Sequence, residues 1–177
     1  MRSETDKARL EALMRALGHG VKGPGRIYFT GGATAVLIGW RAMTIDVDLK
    51  AIPEPSGLFE TLAKLKDELD INIELASPDD FIPALPGWEE RSLFIARHGS
   101  VDFLHYDPYA QALAKLQRGH DRDLVDVEAL WRNGLVQKDR LRKMFALIEP
   151  MLIRYPAIDP ASFRAAVDKF CTRTNTT

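Results

Sequence analysis

The sequence predicts an α/β (or α+β) sheet domain over residues 1–106, followed by a C-terminal helical bundle. Three observations carry this. Short stretches rich in strand-forming residues, "RIYFT", "MTIDVDLK" and "INIELAS", are separated by segments with a helical apolar period. Two further stretches, "RSLFIARHG" and "SVDFLHY", stand back to back around His98, Gly99 and Ser100, as the arms of a hairpin do. From Asp107 onward the pattern is helical, in four consecutive segments.

In chain order, Leu10, Leu13, Met14 and Leu17 recur at helical spacing after a cap at Ser3 or Thr5, and the glycines from Gly18 to Gly25 end that helix in a loop. "RIYFT" reads as a buried strand and "GGATAVLIGW" as a tight turn leading into a helix. "MTIDVDLK" is the second strand, "IPEPSG" a turn, "LFETLAKLKDELD" a helix, and "INIELAS" the third strand by its alternation. "PDDFIPALPGWEE" is an irregular connection to the hairpin. "PYAQALAKLQRG", "DRDLVDVEALWRNG", "QKDRLRKMFALIEPML" and "DPASFRAAVDKFC" then form a helical region, residues 107–172, packed on the core, with a flexible tail at 173–177.

Composition narrows the function classes. A formal net charge of −1 argues against bulk attraction to nucleic acid, leaving only a local basic patch. The single cysteine, Cys171, cannot form an internal disulfide. No apolar run approaches the roughly 18 residues of a membrane span, and the charged start of the chain is unlike a signal peptide, so a cytoplasmic protein away from membranes is expected. His19, His98, His105 and His120 share no metal-ligand spacing and are read as loop or surface groups.

The chemistry concentrates between Ile27 and Lys50. Asp46 and Asp48 stand one residue apart in an apolar strand, so both side chains project from one face. Adjacent carboxylates repel and call for something positive, most simply a divalent metal. Upstream, Gly31 and Gly32 fall where a strand hands over to a helix, a place where a phosphate can approach the backbone and meet unpaired N–H groups. Thr30 and Thr34 add hydroxyls to that turn. A triphosphate there would lie within reach of cations at Asp46 and Asp48, and oxygen ligands suit Mg²⁺ or Mn²⁺. No G-K-[ST] follows the glycines and no G-x-G-x-x-G is present, so neither a P-loop nor a dinucleotide fold is supported.

On these residues the chain resembles the nucleotidyltransferase (polymerase-beta-like) superfamily. More narrowly, "GGATAVLIGWRAMTIDVDL" followed by "KLQRGHDRDLVDVEAL" is similar to AbiEii-type toxins and related minimal nucleotidyltransferase-like proteins. The resemblance implies a mixed central sheet flanked by helices, an NTP-binding (ATP-binding) site dependent on Mg²⁺ or Mn²⁺, and transfer of a nucleotidyl group to a hydroxyl of RNA, protein or a small molecule. A toxin–antitoxin role, with an antitoxin as partner, follows from the same resemblance.

Carried onto this sequence, Gly31 and Gly32 would contact phosphates and Asp46 and Asp48 would bind metal. The superfamily's third catalytic and metal-binding carboxylate has two candidates, Glu74 in "INIEL" and Asp102 in "SVDFL", with Asp102 slightly preferred for its residue type. Lys115 and Arg118, three apart on one helix, would neutralise triphosphate charge, or else pair with Asp123 and Asp126 to fix helix packing. Arg41 flanks the first motif and faces either the substrate or the carboxylates. Two other readings are a catalytically incomplete nucleotidyltransferase-fold binding or regulatory module, and DNA binding through the helix-turn-helix look of "VDVEALWRNGLVQKDRL".

Overall fold

A computed structural model describes residues 3–173, so the expected tail lies, apart from Arg173, outside the described residues. The elements are β1 (Thr5–Asp6), α1 (Lys7–Gly20), β2 (Gly25–Thr30), α2 (Gly31–Ile38), β3 (Met43–Thr44), β4 (Asp46–Ala51), α3 (Leu58–Glu68), β5 (Asn72–Leu75), α4 (Trp88–Arg91), β6 (Leu93–His98), β7 (Val101–His105), α5 (Pro108–Arg118), α6 (Asp121–Arg132), α7 (Lys138–Ile148) and α8 (Pro160–Thr172). Short 3-10 turns occupy Pro78–Asp80 and Glu149–Arg154. The chain divides into two compact units: the first holds the residues up to Ser77 together with Ser92–Tyr106, the second Pro78–Arg91 and everything from Asp107 on.

In the first unit the five-stranded sheet has the order β5-β4-β2-β7-β6. It is mixed: β2 runs antiparallel to β4 and parallel to β7, β4 is parallel to β5, and β6 folds back antiparallel on β7. Strand alternation sorts the side chains. Ile27, Phe29, Val47, Leu49, Ile73 and Phe103 turn to one face and are buried in a common core with Leu10, Leu13 and Leu17 of α1 and Leu58, Leu62 and Leu65 of α3. Each such side chain contributes about 1.5–3 kcal/mol on burial. Phe29 stacks on Phe103 across the β2–β7 pair at 6.1 Å. The opposite face therefore carries Thr30 of β2, Asp46 and Asp48 of β4, Asn72 and Glu74 of β5, and Asp102 of β7.

Several local expectations are corrected. The first helix is capped by Asp6, whose carboxylate accepts from the Arg9 amide at 2.9 Å, while Thr5 lies in β1, paired with Thr44. The helix continues through Gly18 because that residue is pressed against β6: a Cβ on it would fall 2.4 Å from the His98 carbonyl oxygen. "MTIDVDLK" is two strands, since Met43–Thr44 pairs with β1 and only Asp46–Ala51 joins the main sheet.

In the second unit Arg91 ties the 78–91 excursion to the start of α5. Its Nε and Nη2 donate to Asp107 Oδ2 at 2.9 and 2.7 Å, and Nη1 donates to the Pro86 carbonyl. Asp107 Oδ1 accepts from the Tyr109 amide and caps α5. Burial pushes the Asp107 carboxyl above its ordinary range, although Arg91 pulls the other way. Farther on, Phe145 of α7 meets Phe163 of α8 edge to face at 4.8 Å.

Candidate active site

The Gly31–Gly32 turn sits directly on the carboxylate strand. Thr30 ends β2 in register with Asp48, and the chain then enters α2 through Gly31 at φ +60°. A Cβ at Gly31 would lie 3.3 Å from Asp48 Oδ2, and one at Gly32 would lie 2.0 Å from Thr44 Oγ1 and 3.4 Å from Arg41 Nη1. Glycine is thus required twice: for the left-handed backbone at Gly31 and for space at Gly32. Thr44 Oγ1 donates to the Asp46 carbonyl at 2.9 Å, which ties the end of β3 to the beginning of β4.

Asp46 and Asp48 project together and are half-buried. The parallel register of β5 sets Asn72 opposite Asp46 and Glu74 opposite Asp48. Asn72 Nδ2 donates to Asp46 Oδ1 at 2.6 Å and approaches Glu74 Oε1 at 3.4 Å, so the four side chains form one patch. Glu74 is solvent-exposed at its edge.

Asp102 is not brought to this patch. Its register partner on β2 is Arg26, four positions before Thr30. At about 3.3 Å per residue this is roughly 13 Å along the strand, with β2 also intervening between β7 and β4. The Asp102 carboxylate is instead clamped by Arg97 of β6, Nε on Oδ1 at 2.6 Å and Nη2 on Oδ2 at 3.0 Å. The Arg97 hydrogen bonds hold that carboxyl below the usual carboxylate range. Of the two candidates, Glu74 stands beside Asp48 and Asp102, the one slightly preferred from the sequence, does not.

Thr34 also departs from expectation. It is buried, and its hydroxyl donates to the Phe29 carbonyl at 3.2 Å and lies 3.2 Å from His105 Nδ1, so it faces inward rather than toward a ligand. His105, expected at the surface, is buried at the end of β7, and burial lowers its pKa from 6.5 to about 4. Thr30 precedes α2 without capping it through its side chain. Arg41 borders the turn beside Gly32.

Lys115 and Arg118 belong to the second unit, where both have acidic partners. Lys115 Nζ lies 2.7 Å from Asp126 Oδ2 and 3.5 Å from Asp123 Oδ1, and Arg118 binds Asp123 through Nε and Nη2. The pairing role expected for Asp123 and Asp126 is occupied, and any triphosphate would compete with it for the same two cations.

The donor set of the sheet patch fits a hard divalent cation. Carboxylate oxygens suit Mg²⁺ and Mn²⁺, and Gly31 lacks the side chain whose Cβ would lie 3.3 Å from Asp48 Oδ2. Among the described residues no group of three His, Cys, Asp or Glu side chains is disposed to hold an ion. One or two carboxylates completed by phosphate oxygens and water is the usual environment of Mg²⁺.

A mixed sheet with helices on its apolar face, a glycine turn between β2 and α2, and a D-x-D strand beside that turn define a nucleotidyltransferase-like α+β fold. The chain belongs to the family described as nucleotidyltransferase of unknown function (DUF6036), which matches residues 13–171. No curated protein and no solved structure gives a match. No described helix is long and apolar enough to cross a membrane.

Proposed function

We propose that this chain moves a nucleotidyl group from an NTP to a hydroxyl acceptor, with Asp46 and Asp48 as the Mg²⁺ or Mn²⁺ ligands and Glu74 as the third carboxylate. The observation that carries this reading is the register that sets Asp46, Asp48 and Glu74 side by side on one sheet face, next to the Gly31–Gly32 turn. In the reaction the acceptor oxygen bonds to the α-phosphorus, the bond from that phosphorus to the bridging oxygen breaks, and pyrophosphate leaves. The hydroxyl proton passes to a carboxylate of the patch, for which exposed Glu74 is the best placed. Bound divalent cations supply neutralisation of the phosphates and stabilisation of the attacking and leaving oxygens. The α2 N-terminus and Gly31 orient the phosphates through backbone N–H groups, with Arg41 beside them.

The narrower reading, a cytoplasmic toxin neutralised by an antitoxin, rests on the resemblance of "GGATAVLIGWRAMTIDVDL" and "KLQRGHDRDLVDVEAL" to AbiEii-type proteins. The acceptor distinguishes its variants, so the test uses three pools. Each labelled NTP is offered with Mg²⁺ or Mn²⁺ and total RNA, total protein or small hydroxyl compounds, for wild type and Asp46→Asn/Asp48→Asn. We expect label in one pool, falling by more than about 100-fold in the variant, as loss of transition-state charge stabilisation does. No label in any pool, without metal-dependent NTP binding, would leave a nucleotidyltransferase-fold binding module.

A further inference from the structure

We infer that Asn72 is a positioning residue of this site, its side-chain amide fixing the Asp46 carboxylate for a divalent cation without cancelling its charge. The inference rests on the nucleotidyltransferase reading above and concerns a residue outside the D-x-D strand. Asn72 stands opposite Asp46 in the β4–β5 register, and its Nδ2 reaches Asp46 Oδ1 at 2.6 Å and Glu74 Oε1 at 3.4 Å. Both neighbours are carboxylates, which only accept, so the amide presents its nitrogen to them, and its two N–H groups serve both at once. Of the four side chains in the patch, Asn72 is the donor and the other three are anions.

The same sheet face shows the alternative way of holding a carboxylate. Asp102 is fixed by the Arg97 guanidinium through two hydrogen bonds, which also neutralises it. A carboxylate held in that way is a poor ligand for Mg²⁺, because a cation already occupies its oxygens. An amide restrains the side chain while leaving the full negative charge to attract metal. An aspartate at position 72 would add repulsion, and an arginine or lysine would compete with the metal. Asparagine alone among these supplies a restraint with no net charge. The residues that orient metal ligands act at this distance, and their loss typically weakens metal binding about 10–100-fold.

The test measures Mn²⁺ binding by electron paramagnetic resonance on the full chain, with Mn²⁺ alone and with Mn²⁺ plus a non-hydrolysable ATP analogue. Variants are Asn72→Ala, Asn72→Arg and Asp46→Asn/Asp48→Asn, each checked for folding by circular dichroism. We expect Asn72→Ala to weaken Mn²⁺ binding about 10-fold, Asn72→Arg to abolish it, and both to keep the wild-type fold. In the transfer assay Asn72→Ala should raise the Mg²⁺ concentration for half-maximal rate while kcat at saturating Mg²⁺ is largely kept, a split that a merely structural role would not give. Wild-type binding lost in Asp46→Asn/Asp48→Asn but unchanged within twofold in both Asn72 variants overturns the inference and leaves the nucleotidyltransferase reading standing. Absence of Mn²⁺ binding in the wild type overturns both. If Asn72→Ala does not fold, Asn72→Ser, which shortens the side chain beyond reach of Asp46, is judged by the same twofold limit.

Discussion

Gly32 has no room for a side chain: a Cβ there would fall 2.0 Å from Thr44 Oγ1 and 2.8 Å from Thr44 Cβ. Gly32→Ala should cost about 1–3 kcal/mol, the usual scale of overpacking, read as a lower urea midpoint. Adding Thr44→Ala removes the nearer contact, so the double variant should be more stable than the sum of the two single losses predicts. Strict additivity would show that the turn is not held by this contact. His105 makes a pH-dependent prediction. Its pKa is lowered by burial from 6.5 to about 4, so between those values the unfolded chain takes up a proton that the folded chain refuses. Stability from this group is therefore complete above pH 6.5 and is lost as pH falls toward 4, by about 3 kcal/mol. Urea midpoints at pH 7 and pH 4.5 should differ less in His105→Gln than in wild type. An equal difference would mean that His105 takes up its proton in the folded chain as readily as in the unfolded one.

Elements built on a clear apolar period were legible in the sequence, and elements fixed by pairing were not. The helix at Leu58–Glu68, the strand before Gly31 and the 93–105 hairpin follow from alternation and spacing that any local window contains. β1 has two residues and exists through its partners Met43 and Thr44, which no local pattern announces. The two candidates for a third carboxylate show the same limit. "INIEL" and "SVDFL" alternate alike, and what separates Glu74 from Asp102 is that one strand registers on Asp48 and the other on Arg26. Register is a tertiary property, invisible in either segment alone. The α5–α6 hairpin was half legible: the spacing of Lys115, Arg118, Asp123 and Asp126 suggested ion pairs, but not that Lys115, Asp123 and Asp126 are buried. Burial raises the Asp123 carboxyl, yet the Arg118 hydrogen bond and the charges of Lys115 and Arg118 outweigh it and hold the group below its ordinary range. Lys115→Met should then destabilise the protein by about 3–5 kcal/mol, because it takes away the cation that lies 2.7 Å from the buried Asp126 carboxylate. Lys115→Met/Asp126→Leu should recover much of that loss, which thermal melts of the two variants would show. Failure of the double variant to recover any stability would mean that the pair is not what joins the two helices.

Across the whole molecule the two units interleave in sequence, because Pro78–Arg91 belongs with the helices although the chain returns to the sheet at Ser92. A boundary drawn after Tyr106 would therefore leave this excursion in the fragment without its second-unit partners. Asp107, which receives two hydrogen bonds from Arg91, would be gone, as would α5, against which the Pro78–Asp80 turn packs. Trypsin offers a direct reading, since it cleaves after Arg91, whose guanidinium is engaged in the full chain. The fragment 1–106 should be cut there early, while the intact protein resists at the same enzyme ratio. Asp107→Ala in the full chain isolates the anchor from the truncation. It removes the ion pair and the α5 cap together and leaves Arg91 without its carboxylate, at a cost of about 3–5 kcal/mol. Cleavage after Arg91 should become faster in this variant, and mass spectrometry of the first product identifies the site. Asp107→Asn keeps a cap oxygen but loses the charge, so it should fall between the two. If Arg91 is protected in Asp107→Ala as well as in wild type, the excursion is held by the burial of Ile82 and Leu85 rather than by the ion pair.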